Sequence, residues 1–220
     1  MSATFRDQLT RRLVSLRESG IRVRRLAFGA PAEPTLLARI EAEHFGFEMP
    51  HAFRAFFEAH NGVSLYFHRV DDTAAEIYDP KVALAVEDTT PFRWNDAMHD
   101  GGEHWAGVNA ADFGHSPNGG FFFAGVICIP DLATIFDTDW RGIMDWPQGT
   151  YLFDAFTPFY QTALVVDRAR KCVELQPASD HGADLEDPRV DLAAYLDELT
   201  KTAGVERRVN GRWRNTYSAG

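Results

Sequence analysis

The sequence predicts an α+β fold: a single domain with a mixed, mainly antiparallel sheet flanked by helices. Three observations carry that reading. Residues 4–60 hold three helical apolar periodicities, residues 120–177 hold a block of strand-like runs, and one more helical periodicity closes at Gly204. Helices and strands are segregated along the chain, which argues against the alternating order of a doubly wound sheet. The runs TALVVD and KCVELQP are joined by Arg168-Ala169-Arg170, a connection short enough only for antiparallel neighbours. Finally, 220 residues with 45% apolar and 13% aromatic content supply the core of one large domain more comfortably than two small ones.

In chain order, Phe5, Leu9, Leu13 and Leu16 recur at spacings of four and three, an amphipathic helix over 4–18. RVRRLAFGAP follows as a short strand or extended link. Ala32–His44 reads as a second helix with Leu36, Leu37 and Ile40 inward. Pro50 suits the first turn of a third, because its missing N–H has no partner there in any case. Phe53, Phe56, Phe57 and His60 form that helix's apolar face. Asn61-Gly62 stops it, both residues tolerating the left-handed conformation. Val63, Leu65 and Phe67 then alternate with Ser64, Tyr66 and His68, a half-buried strand.

Residues 71–119 differ in character. They carry ten acids against Lys81 and Arg93, are rich in glycine, tryptophan and histidine, and show weak periodicity beyond a short strand at Lys81–Val86. A loop of that length inside a domain is usually functional or mobile. GFFFAGVICIPDL then reads as a long buried strand, TIFDTDWRGIMDWPQGT as a loop, and YLFDAF, TALVVD and KCVELQP as three strands. Asp187-Pro188 is read as N-cap and first residue of the last helix, with Leu192, Tyr195, Leu196 and Leu199 buried. The domain is therefore expected over 1–204 with an insertion at about 71–119, and 205–220 is a basic C-terminal tail.

The acids number 32 against 22 lysines and arginines, a net charge of −10. That excludes a general nucleic-acid or anionic-membrane binder, which needs a basic face. The short basic patch Arg207–Arg214, with Trp213 and Tyr217, is too small to reverse this. No signal peptide and no run of ~18 apolar residues is present, so the expected compartment is the cytoplasm. Cys128 and Cys172 both fall in apolar strand-like runs and form no CxxC pair; buried free thiols are the expected state.

Chemical motifs are thin. His99, Glu103, His104 and His115 lie close together with Asp96 and Asp100 between them, residue types that suit zinc and a metal-dependent hydrolase. The run HDGGEH is one residue longer than H-x-x-E-H, and Gly101 and Gly102 would break the helix that such a motif needs. Ser64 and Ser116 lack a G-x-S-x-G turn. Neighbouring carboxylates such as Asp71-Asp72 read as a solvated acidic face. No phosphate-binding glycine motif follows a strand. The expectation is therefore no catalytic residue, no metal and no cofactor. What remains is a recognition surface: Trp94 and Trp105, with Trp140 and Trp146, fall in loops among acids, like aromatic anchors inside a charged rim.

The stretch from Glu43 through Gly46, Met49-Pro50, Phe53 and Phe57 to Asn61-Gly62 resembles the signature of the SMI1/KNR4 superfamily, also called SUKH. The later order is similar too: the FFFAGVICIPDL strand, the hairpin, and a final helix with Leu192, Tyr195-Leu196 and Leu199. The resemblance spans most of residues 30–203 and makes Gly46, Pro50, Phe53, Phe57, Asn61 and Gly62 architectural. It implies a non-enzymatic protein-binding role. Bacterial members are similar to immunity proteins that block a cognate toxin, often a nuclease; fungal members are similar to intracellular regulatory scaffolds. An acidic surface fits the basic cleft of a nuclease toxin. The expected contacts are Trp94, Asp96, Asp100, Glu103, Trp105 and Asp112, with a protein as partner.

Overall fold

A computed structural model of the chain describes residues 4–17, 21–69, 86–88, 104–105, 108–109, 123–140, 146–154, 160–179, 182–183 and 189–204. The fold is α+β and mainly antiparallel, as the segregated sequence pattern predicts.

Helix α1 (Phe5–Arg17) starts at a reciprocal cap: the Asp7 N–H donates to Thr4 Oγ1 at 3.2 Å, and the Thr4 N–H donates to Asp7 Oδ2 at 3.3 Å. Two of the donors left open at the helix start are thereby met. Of its three leucines, Leu9 and Leu13 are fully buried and Leu16 partly so. Strand β1 (Ile21–Phe28) leads to helix α2 (Pro34–Ile40), which runs on as a π-helical turn over Glu41–Phe45. Helix α3 (His51–Ala59) follows, with Pro50 as its N-cap rather than its first residue. Strand β2 (Val63–Arg69) pairs antiparallel with β1, Phe28 opposite Val63 and Ile21 opposite Arg69.

Strand β3 (Val86–Asp88) joins β1 in parallel, while residues 81–85 of the expected strand lie outside the described residues. A two-stranded ribbon comprises β4 (His104–Trp105) and β5 (Val108–Asn109). Strand β6 (Phe123–Ile129) closes the first sheet in the order β3-β1-β2-β6. The second sheet contains β7 (Thr150–Asp154), β8 (Tyr160–Asp167), β9 (Cys172–Ser179) and β10 (Gly182–Ala183) in the order β10-β9-β8-β7, with β11 (Val190–Asp191) also on β9.

Among the described residues the main strands form two sheets where one was expected, and β6 and β7 meet at the seam between them. The Cys128 N–H of edge strand β6 donates to the Asp154 carboxylate at 2.8 Å, where a continued ladder would offer a backbone carbonyl. The same carboxylate accepts the Tyr195 hydroxyl at 2.7 Å, and Tyr195 meets Thr162 Oγ1 at 2.8 Å. Asp154 and Thr162 are fully buried and Tyr195 nearly so. One buried side-chain network therefore ties both sheets to the last helix. Tyr195→Phe removes a donor from a buried carboxylate and is expected to cost about 1–3 kcal/mol, read by chemical denaturation. An unchanged midpoint would show that the hydroxyl does not hold this seam.

Several boundaries differ from the sequence reading. The long strand ends at Ile129, and the supposed loop after it opens with helix α4 (Leu132–Asp137), capped by Asp131, whose Oδ1 accepts the Thr134 N–H at 3.0 Å. The last helix, α5 (Leu192–Thr202), is capped by Asp191, which accepts the Ala193 and Ala194 N–H groups. Asp187 and Pro188, the expected start, lie outside the described residues. The β8–β9 turn takes four residues, 168–171, with Lys171 at φ 52°. Cys128 is buried, but Cys172 at the strand end is only half-buried; neither thiol forms a disulfide. No helix among the described residues is long and apolar enough to cross a membrane.

The core lies between the helices and the inner faces of both sheets. Phe45, Phe53 and Phe57 are fully buried at its centre, with Phe53 and Phe57 centroids 4.8 Å apart and Phe45 and Phe53 5.5 Å apart. Val63, Leu65 and Phe67 point into it as the alternation requires. A smaller second cluster holds Trp140, Trp146, Cys128, Leu152, Ala163 and Ala178. Both tryptophans are only 2% exposed, and Trp140 Nε1 donates to the Ile135 carbonyl at 2.7 Å. These two are core residues, so the sequence reading of them as exposed anchors is corrected.

Candidate functional site

Of the expected partner contacts, Trp94, Asp96, Asp100, Glu103 and Asp112 lie outside the described residues. Trp105 is placed by its backbone in β4, opposite Val108. His104 precedes it in the same strand, whereas His99 and His115 lie outside the described residues. Among the described residues no three His, Cys, Asp or Glu side chains gather to hold a metal ion. The basic tail, 205–220, is likewise outside them.

The signature residues are described in full, and each does structural work. Gly46 ends the π turn at φ 69°, its N–H donating to the Glu41 carbonyl five residues back at 3.0 Å. That i→i−5 bond defines the π turn, and such turns recur at functional sites. Glu41 holds the following loop: its Oε2 accepts the Met49 N–H at 2.7 Å and Arg54 Nη2 at 2.6 Å. The Met49 N–H, with Arg54 beside it, holds the Glu41 carboxyl below its usual range despite partial burial. Glu43, two residues on, is an exposed partner of Arg39. At the far end of α3, Asn61 does not adopt the left-handed conformation; only Gly62 does, at φ 107°. Asn61 Oδ1 accepts the Leu132 N–H at 2.7 Å, tying this corner to the first turn of α4.

The π turn also brings a cluster to the surface. His44, on its last-but-one residue, places Nδ1 3.1 Å from the Tyr151 hydroxyl on β7. Its ring packs against Phe136 and edge-on to Tyr151, with centroids 5.0 and 5.7 Å away. Burial lowers the His44 pKa, against the pull of Asp137 and Glu43, so the imidazole is neutral at neutral pH. Arg168, in the β8–β9 turn, donates from Nε to the His44 carbonyl at 3.0 Å and from Nη2 to the Glu43 carbonyl at 2.5 Å. It satisfies carbonyls left open at the turn's end. Arg39 grips Asp137 through two bonds of 2.9 and 2.7 Å, and Arg39 holds that carboxyl below its usual range. This fork fixes α2 to α4.

Two adjoining cavities of about 300 and 380 Å³ open here, sharing His44, Gln148, Gly149 and Tyr151 in their walls. Beyond the shared wall, one is lined by Phe136, Asp137 and Trp140, the other by Asp167, Arg168 and Arg189. Sequence reasoning missed this groove. His44 stands more than a hundred positions before Tyr151 and Arg168, and no local spacing announces the three together. Set against protein-family models, curated proteins and solved structures, the chain finds no match in any of the three.

Proposed function

We propose that this chain is a non-enzymatic protein-binding module of the SMI1/KNR4 type, an immunity protein that neutralises a cognate basic toxin domain by steric and electrostatic block. One observation carries the reading. Residues 71–119 hold ten acids and two bases, a net −8 of the chain's −10, so the remaining 171 residues are close to neutral. A field concentrated in one segment steers a basic partner toward it and accelerates encounter. The residues from Glu41 to Gly62 are occupied with capping, turning and core packing, which supports reading them as scaffold and leaving recognition to other residues.

The test is a pull-down from the source lysate at low and high salt, with mass spectrometry of the retained proteins. A basic toxin-like protein held at low salt and released by high salt supports the proposal. A housekeeping protein retained at both salts moves the assignment to a regulatory adaptor. With the partner in hand, Asp96→Lys, Asp100→Lys and Glu103→Lys together are expected to slow association by about tenfold at low salt and flatten its salt dependence. An unchanged rate constant would remove these residues from the interface.

A further inference from the structure

We infer that the groove beside His44 is a second binding site, for a ligand that joins a flat apolar ring to a single carboxylate. It is independent of the proposed toxin contact. Three features of the groove define that chemistry.

The first is an immobilised cation. Arg168 spends two donors on the carbonyls of Glu43 and His44, which fixes the plane of its guanidinium. Among the described residues no carboxylate pairs with it. Arg189, in the same wall, is anchored by Glu174 at 3.0 Å. A guanidinium already held in place loses little entropy on gripping a carboxylate.

The second is the ring surface. Tyr151 is half-buried, and the His44 side chain is 21% exposed. Both line the two cavities, and they stand edge to face. Because burial keeps His44 neutral, this wall offers an uncharged aromatic surface.

The third is the size and charge of the remainder. Volumes of about 300 and 380 Å³ fall at the small-molecule end of the usual range for ligand pockets. Asp139 borders one end and Asp167 the other, while Asp137 is already paired with Arg39, so a dianion such as a phosphate monoester meets more repulsion than a monoanion. A monoanion reaches Arg168 with its ring over Tyr151. Two sources present that chemistry: a free aromatic acid, and the C-terminal aromatic residue of a peptide.

The experiment titrates the full chain with four probes and follows backbone amide shifts of residues 148–151 and 167–168. The probes are phenylacetate, neutral phenylacetamide, ringless acetate and acetyl-Gly-Gly-Phe. Phenylacetate is expected to bind about tenfold more tightly than phenylacetamide or acetate. Arg168→Gln should erase the preference for the acid. Since Arg168 also closes the π turn, a second variant is needed: Gln148→Trp fills the groove from an exposed position and should abolish binding while leaving the melting temperature unchanged. Acetyl-Gly-Gly-Phe outbinding phenylacetate identifies a chain end as ligand; the reverse identifies a free acid. Equal affinity for phenylacetate and phenylacetamide, binding undiminished by Gln148→Trp, or no saturation by either acid up to about 20 mM would overturn the inference.

Discussion

Gly29→Ala is expected to destabilise the chain by about 4 kcal/mol, although the substitution adds a single methyl group. A Cβ built at Gly29 falls 2.0 Å from the Asn61 carbonyl oxygen and 2.5 Å from its carbonyl carbon. Both are main-chain atoms, so no rotamer change relieves the overlap. The two segments must separate, and they are joined by the Gly29 N–H donating to the Gly62 carbonyl and the Asn61 N–H donating to the Ala30 carbonyl, each at 2.9 Å. Separation also pulls Asn61 Oδ1 from the Leu132 N–H. A chain of this size loses roughly 2–4 °C of melting temperature per kcal/mol, so a fall of about 10 °C is the result to look for. A shift under about 2 °C would mean that this corner yields freely and that the close approach is not a constraint on the fold.

Gly29 shows why part of this fold was legible in the sequence and part was not. The helices and strands announced themselves through periodicity, because α1 and α3 each bury one face and solvate the other, and Val63, Leu65 and Phe67 of β2 alternate into the core. The close approach of Gly29 to Asn61 joins residues 32 positions apart, which no window of periodicity spans. Helix α4 was hidden for a different reason. It has six residues, too few to establish a 3.6-residue period, and its one local signal was the Asp131 cap. Trp140 and Trp146 misled because polar, turn-forming neighbours suggested exposure, whereas they cover the outer face of the second sheet with Leu152, Ala163 and Ala178. Glu41 and Glu43 are two residues apart on one turn, and only the fold decides which of them reaches the Met49 N–H. The candidate groove was illegible throughout: a π turn, a β-hairpin and strand β7 converge on it from three regions of the chain. Net charge, in contrast, needs no fold to be read, and the proposal of a basic partner rests on it.

Phe57→Ala separates architecture from recognition in the signature. Phe57 is fully buried, 4.8 Å from the Phe53 centroid and 5.0 Å from that of Phe56, the latter nearly perpendicular at 86°. Its own carbonyl accepts the Ala32 N–H at 2.9 Å, so the backbone around it is pinned and collapses poorly onto the vacated space. Truncation in such a setting costs about 3–5 kcal/mol, including the loss of two ring–ring contacts. The denaturation midpoint should fall with the slope unchanged, because the same surface is exposed on unfolding. An unchanged melting temperature would sink the assignment of this ring to the core. The association rate per folded molecule supplies the second reading. If the signature is scaffold and the acidic segment is the contact, Phe57→Ala lowers stability and leaves that rate alone, while charge reversal at Asp96, Asp100 and Glu103 does the opposite. A variant at Phe57 that stayed folded but associated more slowly would place the phenylalanine face of α3 in the interface, and the division between scaffold and contact would have to be redrawn.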